Sequence, residues 1–330
     1  MDDAILERLG LLPPGTDLEA LMRTALVGQI AGYYDPDTKE LTVIGEDGGI
    51  GPADRATVAH EAIHALQDQE WDLNALKDAI PDEELDRELA LRALVEGDAT
   101  LGMSMWISRF GADLADAEPP DIPEGASLEE LPPVLAQSLI SPYLDGFTFL
   151  IGPFGRHGWD AVDAIWSRPP VSTEQILSGD VYPDHRPIPV ALPDLAAALG
   201  DGWTRVGERT LGALVTATWA SAGAPIGPLE MSLTGRAIPG IEVGRGWGGD
   251  RVVTLDGPDG AWLVAWQTAW DSPDDAAEMT TAAATAIAGL PGPGTVIPAD
   301  LTGSGLADPV LVLLASDAAT LDAAAAALGV

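Results

Sequence analysis

Residues 59–69 read AHEAIHALQDQ. Neither proline nor glycine interrupts the run, so it reads as helix, and His60 and His64, four positions apart, project from one face at the spacing that grips a single metal ion. Glu61 follows the first histidine directly. Its carboxylate can therefore approach a metal-held water from the side without being a ligand itself, the position of a general base. Val58, Ala62, Ile63 and Leu66 make the helix largely apolar, and buried imidazoles need partners that fix their tautomers. The plainer reading is a surface helix that carries two histidines and an acid by coincidence. Against it, two of the chain's four histidines fall in these five positions.

A third ligand is required. The metzincin pattern would put glycine at 67 and histidine at 70, where this chain has Gln67 and Glu70. The alternative is a carboxylate from a second helix. ELDRELALRALVEGDATLGMSMWISRF contains no proline and is rich in good helix formers, which predicts a helix from about 82 to 110. Within it Glu96 shares a stripe with Leu89, Ala93, Ala99, Thr100 and Met103, so its charge would be buried and would need a compensating cation. The competing reading pairs Glu96 with Arg92 one turn earlier. Asp98, on another face, is an alternative ligand or a partner for a histidine.

Outward from this centre, the helix that carries the motif should run from Asp54 to about Trp71, after Gly51 and Pro52. Before it, AGYYDPDTKELTVIGED places Tyr33 and Tyr34 on one side of a DPDT turn and Leu41, Val43 and Ile44 on the other, a β-hairpin pattern. Helical spacing of Leu18, Leu21, Met22, Leu26 and Ile30 predicts an amphipathic helix over 17–30. Residues 117–133 read as an exposed acidic loop, and 134–167 as helix in pieces. Ser172, with Gln175 three positions later, forms a capping-box pattern. Proline density from Tyr182 to Pro193 marks the end of a first domain, 1–199. The second, 200–330, is expected to hold a helix over 207–220, a strand pair around 251–255 and 262–268, a helix after Asp271, and a closing strand and Ala-rich helix in VLVLLASDAATLDAAAAAL. Its tryptophans Trp247, Trp262, Trp266 and Trp270 sit at strand spacing, as core residues do.

Composition narrows the function classes. Acidic residues outnumber basic ones 52 to 16, a formal charge of −36, which repels phosphate backbones and argues against nucleic acid as a partner. With no cysteine, metal ligands must be histidine or carboxylate. The opening MDDAILERLG has two acids before any base and no continuous apolar core, so it does not read as a secretory signal. Thr210 to Leu229 is too polar for a spanning helix, so no transmembrane segment is expected.

The blocks GYYDPDTKELTV, AHEAIHALQDQ, ALVEGDA, SPYLDG and PPVSTEQIL, in that order, resemble a poorly characterised group of bacterial and archaeal zinc metallopeptidase-like proteins of the gluzincin type, often surface-associated. GWGGDRVV and WQTAWDSPDDAAE are similar to that group's C-terminal part. With the element patterns above, the expected fold class is α+β: a mainly helical, zincin-like domain with a β-hairpin, followed by a smaller α+β sandwich domain. The resemblance bears on the site. It implies Zn2+ held by His60, His64 and Glu96, with Glu61 as catalytic base, and an extracellular or cell-surface location. Ser178 stands where similar proteins tend to carry a histidine after STEQIL.

The expected activity is peptide-bond hydrolysis by a Glu61-activated, zinc-bound water, with a peptide or protein substrate. Tyr143, His157 and His185 are candidates for the group that stabilises the oxyanion. The alternative is a catalytically inactive, surface-associated binding or structural protein that keeps the zinc site.

Overall fold

The computed structural model describes residues 3–27, 32–44, 51–112, 131–221, 240–301 and 305–330. The helix expected over 17–30 is α2 (Leu18–Val27), preceded by the short α1 (Asp3–Arg8). Ile30 and the acidic segment from 117 to 130 lie outside the described residues. The hairpin pairs β1 (Gly32–Asp35) with β2 (Glu40–Val43), Gly32 opposite Val43, around a turn in which the Asp35 carboxylate accepts from the Asp37 N–H at 2.8 Å.

The motif helix is α3 (Pro52–Trp71). It stops where Asp72 turns left-handed at φ 51° and caps the next helix, α4 (Leu73–Asp78). Then come α5 (Leu85–Phe110), α6 (Pro133–His157), α7 (Trp159–Trp166) and α8 (Thr173–Leu177). The helical pieces expected over 134–167 are α6 and α7, and the first of them passes unbroken through Pro142 and Pro153. Each proline removes one backbone hydrogen bond, but the helix buries Leu135, Leu139, Phe149 and Leu150, and that packing outweighs the loss. Among the described residues α6 is the one helix long and apolar enough to cross a membrane, and most of its apolar window is buried inside the fold. Ser172 caps α8 by accepting from the Gln175 N–H, while the Gln175 side chain reaches one residue further back than expected, to the Val171 N–H at 2.8 Å.

Two glycines set the spacing of this half. A Cβ on Gly97 of α5 would lie 2.3 Å from the Gly146 carbonyl carbon of α6, and one on Gly146 would lie 2.0 Å from the Ala93 oxygen. The two backbones touch there, as only glycine permits.

Beyond α9 (Leu195–Leu199) the chain builds one antiparallel five-stranded sheet, in the order β3 (Thr204–Arg209), β4 (Trp247–Asp256), β5 (Trp262–Trp270), β7 (Val310–Ala315), β6 (Gly294–Ile297). The start of the helix expected over 207–220 is strand β3, and α10 runs only over Gly212–Ala220. Pairing with β4, Glu208 opposite Val253, decides this, and that partner is remote in sequence. The helices α11 (Ile241–Arg245), α12 (Pro273–Ala288) and α13 (Ala318–Leu328) complete the chain.

Strand alternation sorts the sheet's side chains to two faces. Val252, Val264, Trp266, Val312 and Leu314 face a core that includes Ile5 and Leu6 of α1, Leu89 of α5, Leu135 of α6 and Leu214 of α10. Val253, Leu255, Leu263, Leu311 and Leu313 face Leu195 of α9 and Ala324 of α13. Both faces are covered, which is why VLVLLA is apolar throughout. The fold is mixed α+β, a helical region beside an antiparallel sheet. Its largest apolar core runs continuously from α1 through α5 and α6 to the sheet, across the point near residue 200.

Candidate metal centre

The i, i+4 spacing on α3 brings His60 and His64 edge to face, ring centroids 4.7 Å apart. The close α5–α6 contact holds α5 so that Glu96 faces them. His60 Nε2 lies 3.1 Å from His64 Nε2, and Glu96 Oε2 lies 3.3 Å from the first and 3.4 Å from the second. All three side chains are largely shielded from solvent. These three atoms are a group able to hold a metal ion. Ligand atoms on a tetrahedron with bonds of about 2.0–2.1 Å stand about 3.3–3.4 Å apart, close to the observed triangle. The ion pairs of Glu96 are with these two histidines and not with Arg92.

The two histidines and Glu96 also act on one another electrostatically. Burial opposes charge on Glu96, but its hydrogen bonds to His60 and His64 outweigh burial and bring its carboxyl down to about 2. His64 moves the other way: burial lowers its pKa, and the bond and charge of Glu96 more than restore it.

The His64 tautomer is set from behind. His64 Nδ1 is 2.8 Å from Gln67 Oε1, and Gln67 Nε2 donates to the Val95 carbonyl at 3.0 Å and to Asp98 Oδ2 at 2.9 Å. Because the amide nitrogen serves two acceptors, its oxygen faces the ring, so His64 Nδ1 must carry hydrogen, which leaves Nε2, on the side of His60 and Glu96, as the nitrogen that could ligate an ion. Asp98 also accepts from the Trp166 indole at 3.0 Å, and burial raises its carboxyl. Asp98 is thus a partner for a histidine at one remove, and not one of the three converging atoms. No role at the centre is read from the sequence for Gln67 or Trp166. Position 67, nearly one turn after His64, is a readable signal for the former, whereas Trp166 has none.

Glu61 is buried, close enough to influence both His64 and Tyr143, and receives no hydrogen bond from a described residue. Tyr143 of α6 stacks on His60 at 5.9 Å, its planes 23° apart. Burial and the Glu96 charge push its pKa up, so the phenol keeps its proton. Of the other oxyanion candidates, His157 sits at the far end of α6. His185 is held elsewhere, Nδ1 2.8 Å from Glu174 Oε2 and Nε2 3.0 Å from Asp271 Oδ1. These three also form a group able to approach one ion, but both ring nitrogens are already engaged by carboxylates on opposite sides. Ser178 is buried and its hydroxyl has no hydrogen-bond partner among the described residues.

Residues 199–302 match a family described as a domain of unknown function (DUF8575), a segment that covers most of the sheet and none of the His60–Glu96 centre. No curated protein and no solved structure matches the chain.

Proposed function

We propose that the protein is a zinc-dependent metallopeptidase in which His60, His64 and Glu96 hold the ion and Glu61 is the catalytic base. One observation carries this reading: two imidazole nitrogens and one carboxylate oxygen converge in a triangle of 3.1, 3.3 and 3.4 Å. The donor set, two neutral imidazoles and a carboxylate, is that of a hydrolytic zinc site with a coordination position left for substrate or water, where a purely structural site is usually closed by four protein ligands. Zinc supplies Lewis acidity there, polarising a carbonyl and acidifying water.

The protein's own groups supply the rest. Glu61, without a hydrogen-bond donor among the described residues, takes the proton of the attacking water and returns it to the leaving amine. Tyr143, kept protonated, donates to the carbonyl oxygen as charge develops. The Gln67–Asp98 pair keeps His64 in one tautomer through the cycle.

The deciding experiment pairs zinc stoichiometry with cleavage of a casein-like substrate in wild type and Glu61→Gln. One zinc in each protein, with hydrolysis lowered by at least 100-fold in the variant, is expected. Equal activity in both would end the peptidase mechanism as written. Zinc in both with activity in neither would favour the second reading, a surface binding or structural protein whose metal joins α3 to α5.

A further inference from the structure

On the far side of α5 from the metal centre a cavity of about 250 Å³ is lined by Leu76, Ile80 and Leu91 together with Arg87, Arg168 and Arg186. Of the α5 residues in its wall, Leu91 precedes Glu96 by five positions and Arg87 by nine, about 7 Å and about 13 Å along the helix axis. Three arginines in the wall of one cavity stand out in a chain whose acids outnumber its bases 52 to 16. Arg8 pairs with Asp256, Arg23 with Glu19, Arg245 with Glu242, Arg251 with Glu84 and, at the cavity itself, Arg168 with Asp184, whereas Arg92, Arg109, Arg156 and Arg209 have no ion pair among the described residues. Arg87 and Arg186 have no ion pair among the described residues, and both line this one cavity, which has no acidic residue in its wall.

The walls are held in place. Gln175, 1% exposed, accepts from the Val171 N–H at 2.8 Å and donates to the His185 carbonyl at 2.6 Å. One buried amide thus ties the segment that follows Arg168 to the segment that carries Arg186. The Tyr182 hydroxyl donates to the Arg168 carbonyl at 2.6 Å, and the Arg168 guanidinium donates to the Pro183 carbonyl and to Asp184 Oδ1, each at 3.3 Å.

We infer that this cavity binds a small monocarboxylate with a short apolar body, its head in the forks of Arg87 and Arg186 and its body against Leu76, Ile80 and Leu91. Guanidinium forks match planar carboxylates. Single charge is favoured over the double charge of phosphate because the −36 net charge repels a dianion more strongly. The volume lies below the roughly 300–1,000 Å³ of sites for drug-sized ligands, which limits the body to a short chain.

Calorimetric titration of the full chain with octanoate at low salt tests this, with 1-octanol and inorganic phosphate as comparators. Saturable one-to-one octanoate binding is expected, weakened at least 10-fold in Arg186→Gln and in Arg87→Gln and weakened by added salt. Both arginines are exposed, so the variants should keep the wild-type melting temperature. Glu61→Gln should bind octanoate like wild type, which separates this site from the metal centre. No saturable octanoate binding, unchanged binding in an Arg87→Gln/Arg186→Gln double variant that melts like wild type, or binding of octanol or phosphate as tight as that of octanoate would each overturn the assignment.

Discussion

His64 is held by a chain of side chains, Gln67 to Asp98 to Trp166, in which every hydrogen bond is between 2.8 and 3.0 Å. Groups behind a metal-ligating imidazole fix its orientation, and their loss typically lowers metal affinity 10- to 100-fold. Gln67→Ala is therefore expected to weaken zinc binding by roughly that factor while leaving one zinc per chain at saturation. Competition with a chromophoric chelator measures it, and wild-type affinity in the variant would show that the amide does not orient the ring. In the linear sequence Asp98 stands out as an acid among apolar neighbours and Glu96 as a buried charge in need of a cation. Which of the two meets the histidines depends on how far α5 is rotated against α3, and one-dimensional spacing does not set that angle.

At the level of elements, the contact of α5 with α6 fixes where Glu96 stands. Gly97→Ala would drive a methyl group into the Gly146 backbone, whose carbonyl carbon lies 2.3 Å from the new atom. Backbone has no rotamer with which to yield, so the helices must separate, at a cost of about 3 kcal/mol. Urea unfolding would read this, together with a loss of zinc affinity as Glu96 moves away from α3. Unchanged stability would mean that the helices slide apart freely and that the glycines do not position the centre. One turn beyond His64 on α3, Asp68 accepts from the Tyr34 hydroxyl at 2.7 Å and pairs with Lys39 at 2.6 Å, which anchors the hairpin to the motif helix.

Across the whole molecule, buried acids join the helical region to the sheet. Asp250 of β4 accepts from the Leu211 and Gly212 N–H groups and from the indoles of Trp247 and Trp266, donors that oppose the effect of burial without overcoming it, so that its carboxyl is still raised. Asp86 is less well served: Oδ1 accepts from the Thr173 N–H and hydroxyl, but Oδ2 has no partner among the described residues. Burial raises its carboxyl from an ordinary 3.8 to about 7, and burial with the charge of Asp271 raises Glu174 from 4.5 to about 9. Acids whose pKa rises on folding hold their protons longer in the native chain than in the unfolded one. Stability must therefore fall as pH climbs from about 4 to 7 for Asp86, by roughly 4 kcal/mol, and on toward 9 for Glu174. Thermal melts from pH 5 to pH 8 are expected to show a falling midpoint, and Asp86→Asn should flatten the slope below pH 7. A midpoint that rises over this range would contradict the assignment of these groups.

Local chemistry alone determined the helix around AHEAIHALQDQ, the hairpin before it, the helix that carries Glu96, and the strand pair with its closing strand and helix. Each rests on periodicity or turn residues within about 25 positions. The same local pattern named His60, His64 and Glu96, because a buried acid and two same-face imidazoles call for a cation wherever they occur. Only tertiary contact decided that 204–209 is a strand, that α6 runs unbroken through two prolines, that Gln67 and Trp166 stand behind the centre, and that three arginines distant in sequence share one cavity. Those outcomes depend on partners dozens of residues away, whose free energy of contact outweighs what the neighbouring residues prefer.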